Sequence, residues 1–174
     1  MTYYRRNIDQ KLLEWKDSPR RKPLLIRGAR QVGKSSAVRH FAKCFKYFVE
    51  VNLERQPSIR QLFTKDIDVK RTCEDISAST GIPIVAGKTL LFIDEIQVSQ
   101  EGIMSLRYFK EDYPELHVIA AGSLLEFTLE ELPSFGVGRI RSLYMYPFSF
   151  DEFLLAQGLD LTIDYKRKAT PEAP

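Results

Sequence analysis

At 174 residues the chain has the size of one domain with a proper core, and two domains would be cramped. Its 44% hydrophobic and 28% charged residues are those of an ordinary soluble globular protein, and a net charge of +3 neither requires nor excludes a nucleic-acid partner. No apolar run approaches the ~18 residues of a membrane span, and the polar start Met1-Thr2-Tyr3-Tyr4-Arg5-Arg6 has no apolar region behind it to form a signal peptide, so a cytoplasmic location with no membrane partner is expected.

In chain order, residues 7–16 place Ile8, Leu12, Leu13 and Trp15 on one broad face, with Asn7 as the N-cap of a helix packed against a sheet. Ser18-Pro19-Arg20-Arg21-Lys22 breaks it. Nothing aromatic is interleaved with the three basic residues, which favours a solvated loop over a nucleic-acid patch.

Pro23-Leu24-Leu25-Ile26 reads as a buried strand, and it delivers the chain to Gly28-Ala29-Arg30-Gln31-Val32-Gly33-Lys34-Ser35. That stretch fits G-x-x-x-x-G-K-[ST] at every fixed position. A helical pattern follows, with Val38, Phe41, Ala42 and Phe45 on one face. Strand, glycine loop and helix make a phosphate cradle: the glycines let the backbone N–H groups converge on an anion, and the helix N-terminus adds partial positive charge. The expected phosphate-binding residues are Gly28, Ala29, Arg30, Gln31, Val32, Gly33, Lys34, Ser35 and Ser36. Lys34 would reach the β- and γ-phosphates, and the Ser35 hydroxyl would ligate Mg²⁺.

The β-formers of residues 47–53 predict a second strand. Pro57 opens a short helix with Ser58 and Gln61 as a capping pair, and residues 65–79 read as one irregular helix ended by Gly81-Ile82-Pro83. Cys44 and Cys73 lie far apart with no C-x-x-C, and His40 and His117 are not at ligand spacing with them; free buried thiols and no zinc site are expected.

Thr89-Leu90-Leu91-Phe92-Ile93-Asp94-Glu95 has four successive apolar residues, which suits a central parallel strand, and two acids at its C-terminal end, the edge where open α/β sheets bind ligands. This is the form of a Walker B segment, with Asp94 holding Mg²⁺ and Glu95 polarising an attacking water. A strand, residues 47–53, intervenes between the phosphate loop and Asp94, as in the P-loop branch whose members are mostly ATPases.

Residues 102–113 carry Ile103, Met104, Leu106 and Phe109 as a helical face ended by Pro114, and residues 117–123 form a fourth strand. Ser123 there is a candidate γ-phosphate sensor or the N-cap of a helix over residues 124–131, and can be both. In the glycine-flanked loop 134–139, Arg139 is either a surface residue or a γ-phosphate contact, in cis or from a neighbouring subunit. Residues 141–146 alternate as a fifth strand, and Ser149-Phe150-Asp151-Glu152 is a capping box opening a helix to Gly158.

Taken together, residues 27–35, 89–97, 105–109, 121–126 and 146–153 resemble the prokaryotic AAA-type P-loop ATPases whose AAA domain is usually followed by a DUF4143 C-terminal region. The resemblance covers residues 4–158, the expected ATPase domain, and residues 159–174 read as a tail or the start of that C-terminal region. It implies a three-layer α/β/α fold with a parallel sheet of about five strands in the order 5-1-4-3-2. It also implies ATP and Mg²⁺ as ligands, with hydrolysis of the β–γ bond by water. Lys34, Glu95, Ser123 and Arg139 would be the catalytic groups, and Ser35 and Asp94 the metal ligands. Two departures stand out: Gly136 where the family usually has proline, which loosens the loop before Arg139, and a chain that stops where the C-terminal region would begin. The alternative is a nucleotide-dependent switch acting on a partner or DNA with negligible turnover, and a homo-oligomer fits either reading. Transfer to a small acceptor lacks a recognisable acceptor pocket. The guanine-reading N-K-x-D pattern is absent.

Overall fold

The computed structural model describes residues 3–63, 67–123, 125 and 138–159. Five strands, β1 (Leu24–Arg27), β2 (Tyr47–Asn52), β3 (Thr89–Asp94), β4 (His117–Ala121) and β5 (Arg141–Tyr144), form one sheet in the order β2-β3-β4-β1-β5, with every pairing parallel. This is the expected order read from the other edge. Parallel neighbours need crossovers, and the crossovers place helices on both faces.

Side-chain alternation divides the core in two. Leu24, Ile26, Leu90, Phe92, Ile119 and Ala121 face one layer, which holds α1 (Asn7–Lys16) and α2 (Lys34–Phe41). Leu25, Val49, Val51, Leu91, Ile93 and Val118 face the other, which holds α4 (Val69–Thr80) and α5 (Gln100–Asp112). Strands β3 and β4 are buried at every position. That is why their sequence is a continuous apolar run rather than an alternation. Burying a side chain such as Phe92 completely contributes about 2–3 kcal/mol.

The helix boundaries correct several local expectations. Asn7 is the first helical residue of α1, not its cap; Arg6 is the cap, and the Asp9 carboxylate accepts from the Arg6 N–H at 2.8 Å. Leu13 and Met104 are exposed, off the apolar faces assigned to them. Ser58 lies inside α3 (Pro57–Arg60), so the Ser58/Gln61 cap does not form. The Gln56 side chain instead accepts from the Asn52 N–H at 2.7 Å. α4 is a regular helix, not an irregular one: Asp68 accepts from the N–H groups of Lys70 and Arg71 at its start, and Gly81 closes it at φ 69°.

The capping box at the last described helix, α6 (Phe150–Ala156), forms as expected: Ser149 Oγ accepts from Glu152 N–H, and Glu152 Oε2 accepts from Ser149 N–H. Residues 126–131, Gly136 and the segment beyond residue 159 lie outside the described residues. Both cysteines are free; Cys73 is buried as expected, but Cys44, at the end of the turn that follows α2, is exposed. No helix among the described residues is long and apolar enough to cross a membrane.

Candidate active site

All five strands run parallel, so their C-terminal ends share one edge. At that edge the phosphate loop follows β1. Gly28 sits at φ 144°, and a Cβ there would collide with the Met145 carbonyl oxygen. The end of β5 approaches closely because Met145 N–H donates to Arg27 O at 2.8 Å. Gly33, at φ 97°, turns the chain into α2. Gln31 takes φ 62°, one of two non-glycine residues with positive φ among those described.

Lys34 is 8% exposed. Its ammonium donates to the carbonyls of Gly28 (2.8 Å) and Ala29 (2.7 Å). Burial lowers its pKa, an effect that the negative charges of Glu95 and then Asp94 oppose. The lysine is thus a desolvated cation beside two carboxylates, at the mouth of a helix.

Ser35 on α2 and Asp94 at the end of β3 are 59 positions apart in sequence, and Ser35 Oγ donates to Asp94 Oδ2 at 2.8 Å. Asp94 is 5% exposed. Burial pushes its carboxyl pKa up, partly offset by the bonds from Ser35 and from the Glu95 N–H. A hard cation between a hydroxyl and a buried carboxylate would remove that desolvation cost, so the donor set suits Mg²⁺. Among the described residues no cluster of three or more His, Cys, Asp or Glu side chains could hold a metal by itself. Ser35 and Asp94 would leave most of the coordination shell to phosphate oxygens and water, as Mg²⁺ favours.

These groups line a polar cleft of about 590 Å³, together with Glu95 and Ser123. Ser123, 2% exposed, stands just past the end of β4. Gly28, Ala29, Arg30, Gln31, Val32 and Gly33 form the loop, and Ser36 is on the first turn of α2.

Arg139 is not brought to this site. It precedes β5, whose first residue Arg141 pairs with Leu24 at the start of β1, so it lies at the opposite edge of the sheet. There its guanidinium pairs with Glu111 at the end of α5. A four-residue strand spans roughly 13 Å, which puts the γ-phosphate contact in cis out of reach.

Several residues at the site carried no local sequence signal. Asn52 closes a turn after β2, its Oδ1 accepting from Glu54 N–H (3.1 Å) and Arg55 N–H (2.9 Å), and this sets Arg55 in the cleft. A second cavity of about 490 Å³ adjoins the loop and shares Gln31, Gly33, Ser36 and Arg39 with the cleft; Tyr3, Tyr4 and Phe148 give it an aromatic wall. Tyr3 stacks on His40 with ring centroids 4.0 Å apart. Arg6, 8% exposed, donates to Val32 O (2.9 Å), Tyr146 O (2.9 Å) and Glu152 Oε1 (3.0 Å), so it locks the phosphate loop to α1 and α6. Contacts of this kind, 26 to 146 positions apart, leave no periodicity to read.

Among the solved structures that share the fold, two match this chain over nearly all of its length. One is the structure of Drosophila ORC bound to DNA, at TM-score 0.55 and 15% identity over 91% of this chain and 47% of that one. The other is the Aeropyrum pernix ORC1 protein in complex with DNA, at TM-score 0.54 and 13% identity over 95% of this chain and 50% of that one. The chain therefore spans about half the length of these structures. No curated protein matches it in sequence. The sequence pattern of the AAA domain matches residues 20–154, which takes in the phosphate loop, Asp94 at the end of β3 with Glu95 after it, Ser123 and β5. With that match over most of its length, and with the five-stranded P-loop sheet, the chain belongs to the AAA domain family of nucleotide-binding ATPases.

Proposed function

We propose that this domain binds Mg-ATP at the C-terminal edge of its sheet and hydrolyses the β–γ phosphate bond with water. The observation that carries the reading is the 2.8 Å meeting of Ser35 and Asp94 beside Lys34 and Glu95. In it, the amides from Gly28 to Ser36 cradle the phosphates, and Lys34 leaves its carbonyl partners for the β- and γ-phosphate oxygens. Ser35 and Asp94 would hold Mg²⁺, which when bound would supply neutralisation of the phosphate charge. Glu95 orients and polarises water, and Ser123 contacts the γ-phosphate side of the cleft. The base occupies the aromatic cavity at Tyr3, Tyr4 and Phe148, where a purine can stack. The domain comprises residues 1–158, works in the cytoplasm and is the ATPase part of a larger protein.

A second reading is supported by the position of Arg139. With that arginine at the far edge, the chain lacks its expected γ-phosphate arginine in cis. A neighbouring copy or a partner would then complete the site, and ATP occupancy alone would act as a switch.

Single-turnover hydrolysis of Mg-ATP by the chain and by Glu95→Gln tests both readings. Phosphate release by the parent and binding without release by the variant support the ATPase. Binding without release by both supports the switch. No binding by either overturns both.

A further inference from the structure

Beside Glu95 stands a glutamine that no part of the proposed chemistry uses. Gln97 Nε2 donates to Glu95 Oε2 at 2.6 Å. Because a carboxylate only accepts, the amide nitrogen must be the atom that faces it. The other end of the amide, Gln97 Oε1, is buried and has no hydrogen-bond partner among the described residues. It lies against the Gly122 backbone so closely that a Cβ on Gly122 would run into it. Gly122 is the residue before Ser123, at the end of β4.

A glutamine kept only for packing would have its buried carbonyl paired, since nearly all buried polar groups are. Among the described residues the carbonyl is left without a partner, while the nitrogen is committed to a carboxylate that lines the cleft. Glu95 itself is held at φ 53°, ψ 43°, a left-handed conformation uncommon for glutamate. Backbone strain at Glu95 and an unpaired acceptor at Gln97 converge on one carboxylate. Such features persist where the arrangement serves a site.

We propose that Gln97 is the positioning residue for Glu95, and that it ties the Glu95 carboxylate to the Gly122–Ser123 turn. The inference rests on the reading of Glu95 as the water-polarising group. The Gln97 amide fixes one carboxylate oxygen and leaves the other for the cleft, and the absence of a side chain at residue 122 is what lets the amide lie there.

Two readouts test this. The first is the side-chain amide NMR signal of Gln97 in the ¹⁵N-labelled chain, identified by its loss in Gln97→Ala. It is expected to move in Glu95→Ala, and an unmoved signal overturns the contact. This readout needs no turnover, so it decides the contact even in a chain that binds Mg-ATP without hydrolysing it.

The second readout is steady-state turnover. Gln97→Ala and the isosteric Gln97→Glu are expected to lose roughly 10- to 100-fold in kcat, with KM for Mg-ATP within about twofold of the parent. Gly122→Ala is expected to reproduce the loss in the parent and to add less than about twofold on top of Gln97→Ala, because the two changes break one contact. A kcat for Gln97→Ala within twofold of the parent, or full additivity with Gly122→Ala, overturns the proposal. A Glu95→Gln variant that hydrolyses like the parent breaks the assignment of Glu95 itself, and that result is visible without any Gln97 variant. Thermal unfolding of each variant separates these effects from loss of fold.

Discussion

The two edges of the sheet carry similar side chains and use them differently. At the C-terminal edge, Lys34, Asp94, Glu95 and Ser123 crowd into a cleft, and burial shifts the titration of Lys34 down and of Asp94 up. At the N-terminal edge, Arg139 and Glu111 pair in the open, and Arg107 on the same helix shares Glu111. The guanidinium of Arg107, through its bond and its charge, and then that of Arg139 hold the Glu111 carboxyl below the usual carboxylate range. An exposed pair is screened by water and contributes little. The buried groups are held apart from water by the fold, and their interactions remain available to a ligand. Parallel topology makes the difference: every strand points its C-terminal end at one edge, so loops, helix N-termini and strand-end acids meet only there.

The strongest way to break this contrast is to remove the cation from the cleft. Lys34→Ala is expected to weaken Mg-ATP binding by at least about 100-fold, since a desolvated charge facing phosphate is lost. Equilibrium binding of a fluorescent ATP analogue reads this, and unchanged affinity would refute the site. Next in size, Glu95→Gln keeps binding and lowers the hydrolysis rate by roughly 10²- to 10⁴-fold, measured in a single-turnover experiment.

Gly28→Ala should cost stability, by about 3 kcal/mol, because alanine at φ 144° is strained and its methyl meets the Met145 carbonyl. The midpoint of urea unfolding reads this, and an unchanged midpoint would show that the loop and β5 are not held together as described.

The opposite edge offers a pH test. His117 opens β4 between the rings of Trp15 (5.8 Å) and Phe45 (4.8 Å), 6% exposed, with Nδ1 unpartnered among the described residues. Burial first, then the charges of Arg21 and Lys16, lower its pKa from 6.5 to about 4. In this window the unfolded chain binds the proton and the folded chain does not. Stability is therefore complete above about pH 6.5 and falls as pH drops toward 4, by about 2 kcal/mol. Chemical denaturation of the parent and of His117→Phe between pH 4 and 7 isolates this contribution; equal slopes for both would exclude it. The smallest effect is expected at Arg139. Arg139→Ala should leave the unfolding midpoint within error of the parent and leave dilute single-turnover hydrolysis unchanged. A loss of turnover only at high protein concentration would place this arginine in a neighbouring copy's site.

Much of the site was legible in the chain because its chemistry is local. Gly28 to Ser35 is one continuous segment, and its backbone conformation is set by glycine and by helix start signals. Asp94 and Glu95 end an apolar run whose length and β-forming residues suit a buried strand, so their place at the strand's C-terminal edge follows from the pattern. The five strands and their order were also accessible, the first from β-forming runs and the second from the family resemblance. The caps at Asn7 and Ser58 do not form because both residues lie within their helices: α1 is entered one residue earlier, at Arg6, whose N–H donates to Asp9, and α3 is entered at Gln56, whose side chain accepts from the Asn52 N–H.

What the sequence determined by itself, then, was the set of candidate site groups on contiguous motifs and the parallel α/β class, since short-range spacing encodes the first and continuous apolar runs between helical segments encode the second. The tertiary structure decided which distant groups meet. It brought Ser35 to Asp94, placed Gln97 between Glu95 and Gly122, joined Arg6 to Val32 and Glu152, and carried Arg139 to the far edge. The physical reason is that such contacts are made across crossovers in a packed sheet, where distance along the chain carries no information about distance in space.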